Sequence, residues 1–125
     1  MIATRAVRGL ASPAWRSLLE ARWEERLGTL TELSLAYHDA AARSASGHGL
    51  TETGDPRETR ELKRLMREAV GARRALRDTE EALARLSAGG YGRCEQCAAS
   101  IPAGTLLLDP EVRYCRECVR RATAA

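Results

Sequence analysis

Residues 55–90 read DPRETRELKRLMREAVGARRALRDTEEALARLSAGG, and this stretch decides the fold. Asp55-Pro56-Arg57-Glu58 marks a helix start, with an N-cap acid, proline at the first helical position and a glutamate placed to reach back as in a capping box. Leu62, Leu65, Ala69, Ala72, Leu76, Thr79, Leu83 and Leu86 then follow strict three- and four-residue steps for about four heptads, the pattern of a coiled-coil seam. Ala69 and Ala72 permit close approach midway. Arg64, Arg67, Arg74, Arg77 and Glu81 face away from the seam, and the pairs Arg77–Glu81 and Glu81–Arg85 are spaced for minor i,i+4 support. Gly89-Gly90 supplies the stop.

Upstream, Ser12-Pro13 is a second helix start, with Ser12 as N-cap and Pro13 at N1. Trp23, Leu27, Leu30, Ser34, Tyr37 and Ala41, flanked by Leu19 and Leu33, predict an amphipathic helix to about Arg43. Trp15, Trp23 and Tyr37 read as packing residues of that stripe. Ser44-Ala45-Ser46-Gly47-His48-Gly49 predicts a break, with His48 a loop residue. Two periodic helices joined by a short break fold back most simply as an antiparallel hairpin, with arms of about 45 Å at 1.5 Å per residue. A parallel homodimer is the competing arrangement.

Downstream lie the chain's four cysteines, Cys94-Glu95-Gln96-Cys97 and Cys115-Arg116-Glu117-Cys118. Two C-x2-C knuckles at this separation can present four thiolates in a tetrahedron, which suits one structural Zn²⁺. A redox C-x-x-C would come singly beside a βαβ pattern, and paired disulfides belong to secreted chains. Tyr91-Gly92-Arg93 leads into the first knuckle. Leu106-Leu107-Leu108 and Val112-Arg113-Tyr114, around Asp109-Pro110-Glu111, read as a short β-hairpin carrying the second. Cys118 to Thr123 predicts a final helical turn or two. Arg93, Arg113 and Arg116 stand beside the ligands, where they would offset the charge of the site.

Composition sets the class. Of 125 residues, 30% are charged and only 4% aromatic, with no Phe, which suits long helices and excludes a large aromatic core. The formal charge of +3 nearly vanishes once four thiolates bind one Zn²⁺, so net charge gives no argument for nucleic-acid binding. No run approaches the ~20 apolar residues of a membrane span. Arg5, Arg8 and Arg16 precede any acid; this is compatible with a presequence, but a flexible helix entry is the simpler reading. No Ser-His-Asp set, phosphate-binding glycine loop or paired catalytic carboxylates occur, and a closed four-cysteine site lacks the open position catalysis needs. The chain reads as a non-enzyme.

From Glu80 to Arg121 the sequence resembles the DksA/TraR C4-type zinc-finger family. The resemblance rests on Glu-Glu-Ala-Leu-Ala-Arg-Leu, Gly90-Tyr91-Gly92-Arg93-Cys94, Ile101-Pro102, Leu108-Asp109-Pro110 and Tyr114-Cys115-x-x-Cys118. It covers about a third of the chain. It implies a bacterial transcription regulator that binds RNA polymerase, without sequence-specific DNA binding, and inserts a coiled-coil tip into the secondary channel. Cys94, Cys97, Cys115 and Cys118 match the family's ligands. At the tip, Asp55 and Pro56 match, Glu58 stands where a second acid is expected, and Arg60 replaces a small residue. The second arm is about one helical turn shorter than in well-known members, and Ala98 stands where glycine is common.

The expected architecture is mainly α: a flexible arm over residues 1–12, a coiled-coil hairpin over 13–89 with its tip at about 44–60, and a four-cysteine zinc finger with a short helix over 90–125. The expected protein is a cytoplasmic monomer whose partner is RNA polymerase. Asp55, Glu58 and Arg60 are the candidate contact residues, although helix capping by itself would account for the two acids. Two alternatives are a zinc-ribbon nucleic-acid binder using Arg113, Arg116, Arg120 and Arg121, and a coiled-coil adaptor that dimerises.

Overall fold

The computed structural model describes residues 13–48 and 55–124. Two long helices, α1 (Pro13–His48) and α2 (Pro56–Ala88), are followed by the short α3 (Ala103–Leu108) and α4 (Arg116–Ala124). The long helices pack together as a hairpin, and the described residues contain no strand, only an isolated bridge between Arg93 and Ser100. None of the helices is long and apolar enough to cross a membrane. The expected arm at 1–12, the Ser12 cap and the middle of the expected tip, residues 49–54, lie outside the described residues.

The chain divides into two compact units. Glu24–Arg77 is a helical pair in which Leu65, Leu76 and Ala40 are buried. Leu30, Leu33, Ser34, Tyr37 and Ala41 of α1, with Leu62, Ala69 and Ala72 of α2, are half-buried. Contacts run antiparallel: Arg26 Nη1 donates to the Ala75 carbonyl at 2.9 Å, and Ser44 Oγ to Glu58 Oε2 at 3.2 Å. The spacing of the α2 seam thus produced the packing it implies, whereas Leu27 of the expected α1 stripe is exposed.

The second unit joins α1 up to Trp23 and α2 from Asp78 to the C-terminal region. Its core is Leu19, Ala82, Leu86, Tyr91, Ile101 and Leu106, with Trp15, Leu18, Leu83, Val112 and Cys115 packed around it. Here too the helices run antiparallel, with Arg16 meeting Ser87 and Trp23 meeting Glu80.

Helix ends follow local chemistry. Asp55 caps α2, its carboxylate accepting from the Arg57 amide at 2.9 Å, a contact worth about 0.5–2 kcal/mol. At the other end Gly90 N–H bonds to Arg85 O and Gly89 N–H to Leu86 O. With Gly89 at φ 84 this is a Schellman stop, which needs the left-handed conformation glycine adopts freely.

Two expectations are corrected. The first helix does not break after Arg43 but continues to His48. Ser46 Oγ bonds back to Ala42 O at 2.9 Å, and Ser44 bonds across to Glu58. These serines therefore satisfy their hydroxyls without leaving the helix, as serine on a helix can. Residues 106–108 and 112–114 do not form a β-hairpin. The Pro102 carbonyl accepts from Thr105 and Leu106 and starts α3. Leu106 is 0% exposed and Leu108 90%, whereas a strand would have put both on one face.

Candidate metal centre

Two tight turns bring the cysteines together. Gly92, at φ 85, turns the chain after Tyr91 so that Ile101 N–H reaches Gly92 O at 2.7 Å. Cys94 N–H donates to Ala99 O and Ala98 N–H to Cys94 O, closing the first knuckle around Ala98 in the left-handed region at φ 63. The second knuckle opens α4. Val119 N–H bonds to Cys115 O at 3.1 Å, and Cys118 N–H points at Cys115 Sγ at 3.4 Å. Cys115 thus takes the N-cap place, its sulfur facing a backbone amide of the first turn. Glu95 N–H to Arg113 O, at 2.8 Å, ties the knuckles together.

The four Sγ atoms lie within 4.8 Å of one another. None is in a disulfide. Tetrahedral coordination with Zn–S near 2.3 Å requires S···S edges of about 3.8 Å, and Cys97 Sγ to Cys115 Sγ is 3.7 Å. The cluster is therefore arranged to bind a metal ion. Cys94 is buried, Cys115 and Cys118 are half-buried, and Cys97 is exposed.

The thiols also show why protons and this geometry compete. Burial raises the Cys94 thiol, but hydrogen bonds from the backbone at Cys115, Cys97 and Gln96 outweigh it and bring it down to about 6. Hydrogen bonding to Cys115, then burial, pushes Cys118 up to about 12. One thiolate forms readily while Cys118 keeps its proton. A soft dication in their midst replaces that proton, since metal-bound cysteines are deprotonated.

A second polar cluster, which the sequence does not announce, anchors this region to the helices. Glu111 accepts from Arg22 Nε at 2.7 Å and Nη2 at 2.9 Å, and from Thr79 Oγ1 at 2.9 Å. Arg85 reaches the Glu111 carbonyl at 3.4 Å, and the buried Tyr91 hydroxyl donates to Pro110 O at 2.9 Å. Tyr91 also packs on Trp15 with ring centroids 5.7 Å apart. Pro110-Glu111 thus carries contacts to α1, α2 and Tyr91, which precedes the first knuckle. Its one signal in the sequence is an acid next to an apolar run, which fits a turn equally well.

Of the arginines near the cysteines, three are engaged, while Arg93 and Arg116 form no ion pair among the described residues. Arg113 pairs with Glu81, Asp78 at 3.4 Å and Glu95 at 3.7 Å. Arg120 and Arg121 pair with Glu117 within α4. Glu81 therefore serves Arg113, although its spacing suggests partners on its own helix. The candidate tip residues belong to the other unit, at the start of α2, with Asp55 and Arg60 exposed and Glu58 half-buried against Ser44.

No family model matches the chain. An uncharacterized protein of Aquifex aeolicus (strain VF5) is 42% identical over 43 residues, a match covering 34% of this chain and 30% of that protein. The matched segment is therefore less than a third of the relative's own length. Among solved structures the chain is similar to transcription factor DksA2 from Pseudomonas aeruginosa, with a TM-score of 0.61 and 21% identity over 91% of this chain and 87% of that one. DksA2 is a neighbour in fold, and the four cysteines cluster as in a C4 zinc finger.

Proposed function

We propose that this chain is a bacterial-type, cytoplasmic transcription regulator that binds RNA polymerase and does no chemistry of its own. The observation that carries the reading is the likeness in fold to a transcription factor over nine-tenths of the chain. In this reading Cys94, Cys97, Cys115 and Cys118 hold one structural Zn²⁺, residues 90–125 form the finger, residues 13–89 the hairpin and residues 1–12 an arm. The tip, about 44–60, enters the polymerase secondary channel and alters open-complex lifetime. Asp55, Glu58 and Arg60 are its contact residues. The support within the chain is that Asp55 and Glu58 begin a capped helix, where a carboxylate is held in a fixed direction.

Capture of core RNA polymerase by the zinc-loaded chain tests the partner, and failure of capture rejects the reading. Asp55→Asn with Glu58→Gln is expected to leave capture intact and abolish the effect on transcription. An unchanged transcriptional effect would reject the tip mechanism alone. Nucleic-acid binding through the finger loses support, because, of Arg113, Arg116, Arg120 and Arg121, all but Arg116 are already paired.

A further inference from the structure

Within Glu24–Arg77 the outer face of α2 carries one sign of charge. Arg60, Lys63, Arg67, Arg74 and Arg77 follow at steps of three, four, seven and three residues, a spacing that keeps them on one side of a helix. All five are exposed and none forms an ion pair among the described residues. The acids of this stretch lie elsewhere. Glu58 and Glu61 line a cleft with Ala40 and Arg43 of α1, and Glu68 lines another with Leu33 and Ala36. Arg64, at the margin, is neutralised by Glu61 and Glu68. The stripe runs for roughly 25 Å at about 1.5 Å per residue.

Gly71 gives an independent sign. It falls on the same face, four residues after Arg67 and three before Arg74, in mid-helix where glycine is unfavourable. A Cβ there would meet nothing within 4 Å, so packing inside the protein does not call for glycine. A missing side chain on the margin of a cationic stripe, in line with Arg64, suits close approach of another molecule's backbone.

We propose that this face binds the phosphate backbone of duplex DNA without reading base sequence. Arginine, which dominates the stripe, matches phosphate oxygens in a planar fork. Single strands are held largely by stacking on aromatic rings, and α2 has no aromatic residue. An acidic protein surface would be expected to add apolar anchors. Val70, exposed between Arg67 and Arg74, is a single apolar residue on this face, too little to anchor such a surface, and Met66 lines a cleft with Ser34, Tyr37 and Arg73. The overall charge of +3 hides this field, because acids elsewhere in the chain cancel it in the sum. The proposal does not depend on the metal and shares only Arg60 with the proposed polymerase tip, so the variants that test it are at Arg67, Arg74 and Arg77.

Fluorescence anisotropy of the zinc-loaded full chain on a labelled duplex of arbitrary sequence, across a salt series, tests it. Five phosphate contacts predict a slope of log affinity against log salt of about −4.5, falling to about −2 in Arg67→Gln/Arg74→Gln/Arg77→Gln. Affinity of that variant at low salt is expected to drop at least tenfold, with helical circular dichroism unchanged because glutamine is a comparable helix former. Gly71→Leu is expected to weaken binding severalfold at an equal or higher melting temperature. A salt-insensitive signal, a triple variant that binds like the parent, or polyglutamate binding as tightly as the duplex would overturn the proposal. Equal affinity in Gly71→Leu would overturn the close approach.

Discussion

Glu111→Gln tests whether a polar cluster, as well as a metal, holds the C-terminal region to the helices. The Glu111 side chain is 6% exposed and that of Arg22 32%. Two charge-assisted bonds from Arg22 and one from Thr79 converge on one carboxylate. Glutamine keeps the volume but removes the charge, and turns one acceptor oxygen into a donor facing a guanidinium. Removing one partner of a buried pair costs about 3–5 kcal/mol. Arg22 is a third exposed and regains some hydration, which lowers the expectation to about 2–3 kcal/mol. That corresponds to a fall of roughly 10 °C in melting temperature for a chain of this size. The assay is urea unfolding followed by circular dichroism at saturating zinc, with metal content checked so that ligand loss is not read as pair loss. Arg22→Met combined with Glu111→Leu should recover much of the single-variant loss, because an apolar pair of similar volume leaves no buried charge alone. A Glu111→Gln variant within about 0.5 kcal/mol of the parent, or strictly additive losses in that cycle, would refute the anchoring role.

Other outcomes follow from single residues. Ala98 occupies φ 63, where an L-residue is strained by about 1–2 kcal/mol. Glycine surrenders part of that gain to unfolded-chain entropy, so Ala98→Gly should raise stability by about 0.5–1 kcal/mol, read from the urea midpoint. Chelation, or Cys94→Ser, should expose amides of residues 90–124 to hydrogen exchange, with added zinc restoring protection after chelation only; full protection without metal would contradict a structural ion. Burial and then the Glu111 charge push the Tyr91 hydroxyl up to about 12, from an ordinary value near 10. Folding raises this pKa, so the tyrosine's contribution is complete below about pH 10 and is lost as pH rises through about 12. Tyr91→Phe should therefore remove an alkaline phase of destabilisation, and cost about 1 kcal/mol at neutral pH through the hydrogen bond lost at Pro110 O.

What could be read in advance depended on how locally the information is stored. The α2 seam, its aspartate cap and its double-glycine stop are all set by residues within one turn of each other, and each appears where the spacing put it. The knuckles are equally local, and the separation of their cysteines is enough to suggest that the four thiols meet. The break expected after Arg43 does not occur because Ser44 and Ser46, loop formers by type, find partners for their hydroxyls on Glu58 and Ala42. The 106–114 segment misleads because three leucines in a row suit either period. Only the packing of Leu106 among Leu19, Ala82 and Ile101 chooses the helix. Glu111 is illegible for a related reason: its partners Arg22 and Thr79 are 89 and 32 residues away, and nothing near any of the three marks the meeting.

The same distribution explains why metal and helices act together. Of the six residues that form the buried cluster, Leu19, Ala82 and Leu86 come from the long helices, and Tyr91, Ile101 and Leu106 from the segment that carries the cysteines. Three apolar side chains cannot offset the ordering of some thirty-five residues, at about 1.5 kcal/mol each, by burial alone. An ion bound by the four cysteines would supply part of the deficit by cross-linking two turns about twenty residues apart. The helices supply another part, because Leu19 and Ala82 are fully buried only where the C-terminal segment covers them. Glu111 then selects the docking register: an apolar surface of leucine and alanine is tolerant of small slides, whereas a carboxylate that must meet both Arg22 and Thr79 is not. A metal, the apolar contact and the ion pair would thus have separable effects, on the local turns, on the strength of docking and on its position respectively.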